Sequence, residues 1–519
     1  MVKRRAGELL LVFFLFLALG VSWLGVLPLW QGPDEPAHFA YAQYMAVHVL
    51  PPVELRVAPG RQAWVFSPSP AESASIAAVG RNRILTHPHA WLSVTPQAAA
   101  RAARGVAAAS AAPGGNLAGS QNYVGIYPPL YYAAVGRIAS ALRLESVFAQ
   151  AFAGRFVSAA LLGLTGVLLD LVVGLVVCQP RRRVALAAAI GLMFPTLGML
   201  GGALTNDLMA DGASLAVFYL AMRAVAQRSR LLAGGWFGLA AGLALWTKEE
   251  AYVALGVSAP FVLVRVWQHE GVRRAARWTA GAAGLALLVG GPWLAFTWHA
   301  YHALVPPLTY QGAGADPRTV SWVVGQQLLN GAFVKNVLLT QTVFGIDFPW
   351  WFPWPHHQWV FAAVGWVLAL LLAGGLLAAR RTPGVWLALA WLAAGAAVLA
   401  SLQIQYAIAT GSSFLQGRYF FFLLGPLAWL AAHALKRWGR LLTPLLLAGA
   451  AVLSAAVMNA TLLRYYHAGL GSDLAGRVVM FGPPAALAAS RVALSVAAVL
   501  VLGIGVAAAA DRGARRLSG

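Results

Sequence analysis

The sequence predicts an all-α polytopic membrane protein of about twelve (11–13) transmembrane helices, with a large first extracytoplasmic loop that carries surface helices. Three observations carry this. The 519 residues are 60% hydrophobic and only 10% charged, more apolar surface than a soluble chain of this length can hide, so lipid is the solvent. The apolar residues gather in runs of about 17 to 25, the length that crosses a bilayer. The Lys and Arg residues fall between those runs with a side preference.

Lys3-Arg4-Arg5 and the stretch from Leu9 to Leu29 read as an uncleaved first span, longer than a signal core and ended by Trp and Pro. The apolar runs lie at 8–29, 155–178, 184–203, 207–226, 231–247, 250–268, 277–299, 358–379, 384–402, 419–435, 441–461 and 489–510. Alternate short loops then hold Arg181 to Arg183, Arg223 with Arg228 and Arg230, Arg265 with Arg273, Arg274 and Arg277, Arg380-Arg381, Lys436 with Arg437 and Arg440, and Arg512 with Arg515 and Arg516. By the positive-inside rule this side is cytoplasmic, so both termini are expected there, in a plasma (inner) membrane.

"YPPLYYAAVGRIASALRL", 127–144, is apolar enough to tempt as a span, but counting it would put Arg181 to Arg183 outside. It reads instead as an amphipathic interfacial helix with Pro128-Pro129 at its start. The chain 1–519 is then a single integral membrane domain with two large extracytoplasmic loops, 30–154 and 300–357. The second ends in "PWWFPWPHHQW", an aromatic cluster of interfacial type, with His356-His357 as decoration.

The net charge of +21 does not indicate nucleic acid, because the basic residues sit in short clusters between apolar runs. Cys178 stands alone, which excludes an intrachain disulfide and a cysteine-based metal site.

Four polar clusters share one face. "PDEPAH" places Asp34 and Glu35 side by side after the first span, with His38 one turn on. "LTNDLMA" holds Asn206 and Asp207; "LWTKEEAY" holds Lys248, Glu249 and Glu250; "LQGRYFFF" holds Gln416, Arg418 and Tyr419. Ionisable groups so close to hydrocarbon are costly and usually mark function. Each has a plainer reading. Asp34 or Glu35 caps the helix that Pro36 begins, though a cap needs one carboxylate, not two. Glu35 and His38 at i, i+3 fit a divalent metal or a simple hydrogen bond. Asn206-Asp207 fits an N-cap, 248–250 a self-neutralising cluster, and Arg418 a side chain snorkelling to a lipid head group. Asp170 and Asp211 lie within spans and suit helix–helix hydrogen bonds.

Taken together the residues suit one chemistry. A carboxylate serves as general base on a hydroxyl. A Lys and an Arg at the membrane surface hold a phosphate whose tail lies in lipid, and stabilise the charge that grows as it departs.

"WQGPDEPAHFAYAQYMAVHVLP" after a first span resembles the GT-C superfamily of polyprenyl-phosphate-dependent glycosyltransferases, in the branch of protein mannosyltransferases and aminoarabinose transferases. "YPPLYY" resembles that branch's surface-helix motif, and "LWTKEEAY" its Lys-Glu-Glu turn. "QGRYFFF" is more typical of an uncharacterised bacterial family of predicted membrane proteins related to GT-C enzymes. The resemblance covers essentially the whole chain. It implies Asp34 as the catalytic carboxylate and Glu35 as its neighbour in acceptor or sugar binding. It also implies Lys248 and Arg418 on the donor phosphate, Tyr127 in the cavity wall, and an inverting attack.

The chain lacks a D-x-D metal pair, which favours a metal-independent reaction with no cofactor. The implied partners are a polyprenyl-phosphate sugar donor, membrane lipids, and a glycan, lipid or protein acceptor. The rival readings are a transporter or flippase of lipid-linked sugars, which wants polar residues at mid-depth and on both faces, and a non-catalytic envelope assembly protein. No internal repeat is visible, which weakens a transporter of inverted halves.

Overall fold

In the computed structural model the described residues are 2–51, 68, 70–78, 104, 122–226, 231–306, 319–331, 358–410, 415–466 and 484–510. They form helices α1 (Val2–Leu24), α2 (Glu35–Val47), α3 (Pro70–Ala78), α4 (Leu130–Ala141), α5 (Val147–Val173), α6 (Pro180–Leu192), α7 (Pro195–Gly201), α8 (Asp207–Ala226), α9 (Leu231–Ala244), α10 (Glu250–Glu270), α11 (Val272–Tyr301), α12 (Gln358–Ala379), α13 (Gly384–Thr410), α14 (Leu424–Tyr466) and α15 (Pro484–Ala510). Short 3-10 turns stand at Tyr123–Ile126 and Gly417–Leu423, and no strand occurs among the described residues. The rest of 30–154 and 300–357, including most of the aromatic cluster at 349–359, lies outside the described residues.

Each of the twelve apolar runs coincides with helix. Nine stretches among the described residues are long and apolar enough to span, and a tenth is the pair α6 and α7, bent by 80°. The sequence reads 184–203 as one span, and Pro195 bends it: without an N–H, and with a ring that clashes one turn back, proline cannot continue α6. The runs in α9 and α12 contribute shorter apolar helices among the described residues, Gly234–Ala244 and Ala363–Ala379.

Large apolar side chains remain uncovered along the spans, such as Leu288 at 74% and Leu502 at 68% exposed. That is a lipid-facing surface, not a water-facing one. Inside, packing is close where residues are small. A Cβ added to Gly20 of α1 would stand 2.9 Å from the Cα of Ala159 on α5, so glycine lets the two backbones touch.

α2 and α4, of 13 and 12 residues, reach only about 20 Å each and cannot span. They pack on each other where a Cβ at Gly136 would strike the Ala42 carbonyl and stand 2.7 Å from the Ala46 nitrogen. α4 buries Tyr131, Tyr132 and Val135 and exposes Arg137, the amphipathic helix expected over 127–144.

Two polar layers mark the ends of the bundle. At one end Arg183 donates to Asp170 at 2.9 Å and to Glu8 at 3.0 Å, while Arg182 donates to the carbonyls of Leu435 and Lys436. This is the helix–helix pairing expected of Asp170. At the other end stand the turns that carry Asp34, Asp207, Lys248 and Arg418.

Candidate functional site

The link from α1 to α2 brings the first carboxylates. Trp30 and Asp34 both have positive φ, 67° and 52°, the left-handed region that Asp tolerates better than most residues. Asp34 occupies the N-cap position of α2, yet its side chain makes no cap hydrogen bond. The capping explanation for it therefore fails: the carboxylate turns instead to Tyr123 and Arg418.

Tyr123 donates to Asp34 Oδ1 at 2.8 Å. It is held there by Asn122, whose Oδ1 accepts from the Val124 N–H at 3.1 Å and whose Nδ2 donates to the Ala37 carbonyl at 2.9 Å. Arg418, in the 3-10 turn ahead of α14, donates from Nη2 to Asp34 Oδ2 at 2.7 Å and to the Tyr419 hydroxyl at 3.3 Å. Its Nη1 lies 3.5 Å from Asp207 Oδ2. Asp207 Oδ1 accepts from Lys248 Nζ at 2.8 Å, and the same Nζ meets Glu250 Oε1 at 3.0 Å. Lys248 Nζ also stands over the rings of Tyr419 and Tyr127, 5.0 and 5.4 Å from their centroids. Four turns far apart in sequence thus make one ion network.

The network is nearly dry, except at Asp34 and, to a lesser degree, Glu250. The side chains of Arg418, Lys248 and Asp207 are 3%, 6% and 6% exposed, and that of Asp34 is 38% exposed. Several buried polar atoms beside it lack a hydrogen-bond partner: Arg418 Nε and Nη1, both amide atoms of Asn206, Gln416 Oε1 and Glu250 Oε2. Buried donors and acceptors are almost always satisfied in a native protein, so this set has room for water or a ligand as partner.

Charge sets the protonation states. Burial pushes the Asp34 carboxyl up, but Arg418, His38 and the Tyr123 hydrogen bond outweigh it and hold it below the usual carboxylate range. Burial likewise works against a charged Lys248, but Asp207 and Glu250 hold its ammonium well above the ordinary lysine value. Glu249, at the N-cap of α10, is pushed up to about 7 by burial and by its neighbour Glu250. His38 is lowered to about 4 by burial, which prevails over the attraction of Asp34 and Asp207. It is therefore neutral near pH 7, with Nδ1 2.8 Å from the Tyr132 hydroxyl and its ring stacked 6.5 Å from Tyr127.

Glu35 is the correction. Expected beside the substrate, it is fully buried and faces the other way, paired with Arg155 through both oxygens at 2.7 Å. Those oxygens also accept the N–H of Leu204 at 3.0 Å and of Gly32 at 3.2 Å. The possible Glu35–His38 metal pair goes with it, since the two side chains have separate partners. Among the described residues, no three His, Cys, Asp or Glu side chains gather as a metal group would. Asp34 and Asp207 do meet in space, but through Arg418.

Two residues escaped the sequence reading. Arg155 had a signal: it is the one cation within the 27 residues of α5, and such a residue needs a partner. Tyr123 had none, lying in an irregular stretch with no pattern. Asp211, one turn beyond Asp207 on α8, is buried with Oδ2 unpartnered and makes no helix–helix hydrogen bond through that atom.

A family model described as predicted membrane protein (DUF2142) matches residues 16–428. No curated protein matches. Among solved structures, ArnT from Cupriavidus metallidurans bound to undecaprenyl phosphate is similar with a TM-score of 0.42 and 14% identity, covering 96% of this chain and 77% of that one. The apo state of ArnT gives 0.41 and 14%, with 95% and 76% covered. A likeness this loose says nothing about chemistry.

Proposed function

The chain belongs to the predicted membrane protein family DUF2142, and from that premise we propose that it is an integral membrane glycosyltransferase of GT-C type. It moves a sugar from a polyprenyl-phosphate donor to an acceptor hydroxyl at the extracytoplasmic face. The observation that carries the reading is the part-exposed Asp34 carboxylate held 2.7 Å from a buried arginine whose Nε and Nη1 have no hydrogen-bond partner.

Asp34 takes the proton of the acceptor hydroxyl. The oxygen attacks the anomeric carbon from the face opposite the phosphate, and the bond from that carbon to the phosphate oxygen breaks with its electrons going to the phosphate. Arg418 and Lys248 receive the negative charge, which a water-poor site rewards strongly. They also supply the charge that a divalent metal supplies elsewhere.

In the resting state Arg418 depresses the basicity of Asp34. An arriving phosphate draws the guanidinium toward itself, so the carboxylate gains basicity when a donor is present. Tyr127 and Tyr419, flanking Lys248, wall the sugar site, and neutral His38, Asn206 and Gln416 offer hydrogen bonds to its hydroxyls. The side assignment rests on the loop charges: the basic loops lie at the end opposite this site.

The test is turnover. Purified protein in liposomes is offered a panel of polyprenyl-phosphate sugars, and donor consumption is followed by mass spectrometry. The natural protein should consume one of them, and Asp34→Asn should be slower by about 10²- to 10⁴-fold, the usual worth of a general base. Equal consumption removes Asp34 from the chemistry. No consumption of any donor by the natural protein sinks the enzyme reading.

A further inference from the structure

Arg155 makes more contacts than charge neutralisation needs. All five of its N–H groups are used: Nε donates to Glu35 Oε1, Nη1 to the carbonyls of Leu24 and Leu27, and Nη2 to the Pro28 carbonyl and Glu35 Oε2, at 2.7 to 3.0 Å. Glu35 in turn takes the N–H groups of Gly32 and Leu204. Both side chains are 0% exposed, so the pair has nothing left to offer a substrate.

What the pair ties together is specific. It joins the end of α1, the link to α2, the first residue of α2, and the link between α7 and α8. The two links touch at this point: a Cβ on Gly32 would stand 2.8 Å from Ala203 Cβ and 3.1 Å from Glu35 Cδ. Asp34 immediately precedes Glu35, and Asp207 lies three residues after Leu204. Arg418 contacts both of those aspartates. Asp34 also keeps a left-handed backbone with no cap bond, a conformation that persists only when its surroundings hold it.

We infer that Arg155 and Glu35 are a positioning pair, which sets the two links against each other so that one guanidinium, Arg418, holds Asp34 and Asp207 at once. The assignment rests on the reading of Asp34 and Arg418 as working residues. It differs from general stabilisation in being local, and it gives Glu35 a role without substrate contact.

Hydrogen exchange followed by mass spectrometry, on the full chain in detergent, separates the cases. The natural protein is compared with Glu35→Gln, which replaces an acceptor oxygen by a donor, and with Arg155→Lys, which keeps the charge but not the fork. In both variants, peptides over 26–34 and 203–207 should exchange about tenfold faster while the centres of α5 and α14 keep their protection. Donor turnover should fall by about 10²-fold from misplacement of the reacting groups. Unchanged exchange at the two links overturns the proposal. So does faster exchange throughout, or failure of both variants to fold, since either makes the pair a general support. A natural protein that consumes no donor would refute the proposed activity, while the exchange result would still decide the positioning role.

Discussion

Arg418 Nη2 and Asp34 Oδ2 lie 2.7 Å apart across 384 positions of sequence. The guanidinium is almost wholly buried and the carboxylate is not. A buried cation must keep an anion, so any phosphate entering here competes with Asp34 for Arg418. Asp34→Asn should therefore bind polyprenyl phosphate about tenfold more tightly while losing turnover, and Arg418→Lys should bind it about tenfold more weakly for want of a fork. Titration in lipid nanodiscs reads both. Unchanged affinity in the two variants would mean that the phosphate sits elsewhere.

Lys248 and Asp207 form a contact in which each side chain is only 6% exposed. Lys248→Met should leave an uncompensated carboxylate and cost about 3 kcal/mol, the low end for a broken buried pair because Arg418 stays nearby. Adding Asp207→Asn should restore more than half of that loss. Thermal unfolding of the single and double variants decides it, and an equal or larger loss in the double variant would speak against pairing.

Glu249 should make the binding of a polyprenyl-phosphate donor depend on pH. Its native value of about 7 lies above the ordinary 4.5, so between those values the folded protein holds a proton that the unfolded chain has released. Its contribution to stability is whole below about 4.5 and is lost as pH rises through 7. Ionisation also adds a negative charge beside Lys248 and Glu250, so affinity for a phosphate should fall across pH 6 to 8. Glu249→Gln should flatten that slope; a slope that persists in the variant would assign it to another group.

The orientation of the site is open to labelling. Cys178 is exposed at the end of the bundle opposite the site, and replacing it with Ser leaves a cysteine-free chain. A cysteine introduced at Ser120 should then react with a membrane-impermeant reagent in intact cells. Reaction only after permeabilisation would turn the site toward the cytoplasm and remove a polyprenyl donor presented from outside.

Much of the fold was legible because hydropathy is a local property. A backbone in lipid must satisfy its own hydrogen bonds, so each long apolar run becomes a helix wherever it lies in the chain. Loop charges then order the ends. The bend at Pro195 shows the limit of this: the run 184–203 is uniformly apolar, and window hydropathy does not register one missing N–H.

The class, the helices and the four polar turns with Asp34, Asp207, Lys248 and Arg418 can be read locally, since an ion at a membrane surface is conspicuous against its apolar neighbours. Who pairs with whom is settled only by packing. Asp34 and Glu35 are adjacent and chemically alike, yet the left-handed turn at Asp34 sends one carboxylate to Arg418 and the other to Arg155. Neither arginine is near them in the chain. A buried charge is satisfied by whatever the packing of distant helices brings within about 3 Å, and no periodicity or composition encodes that distance.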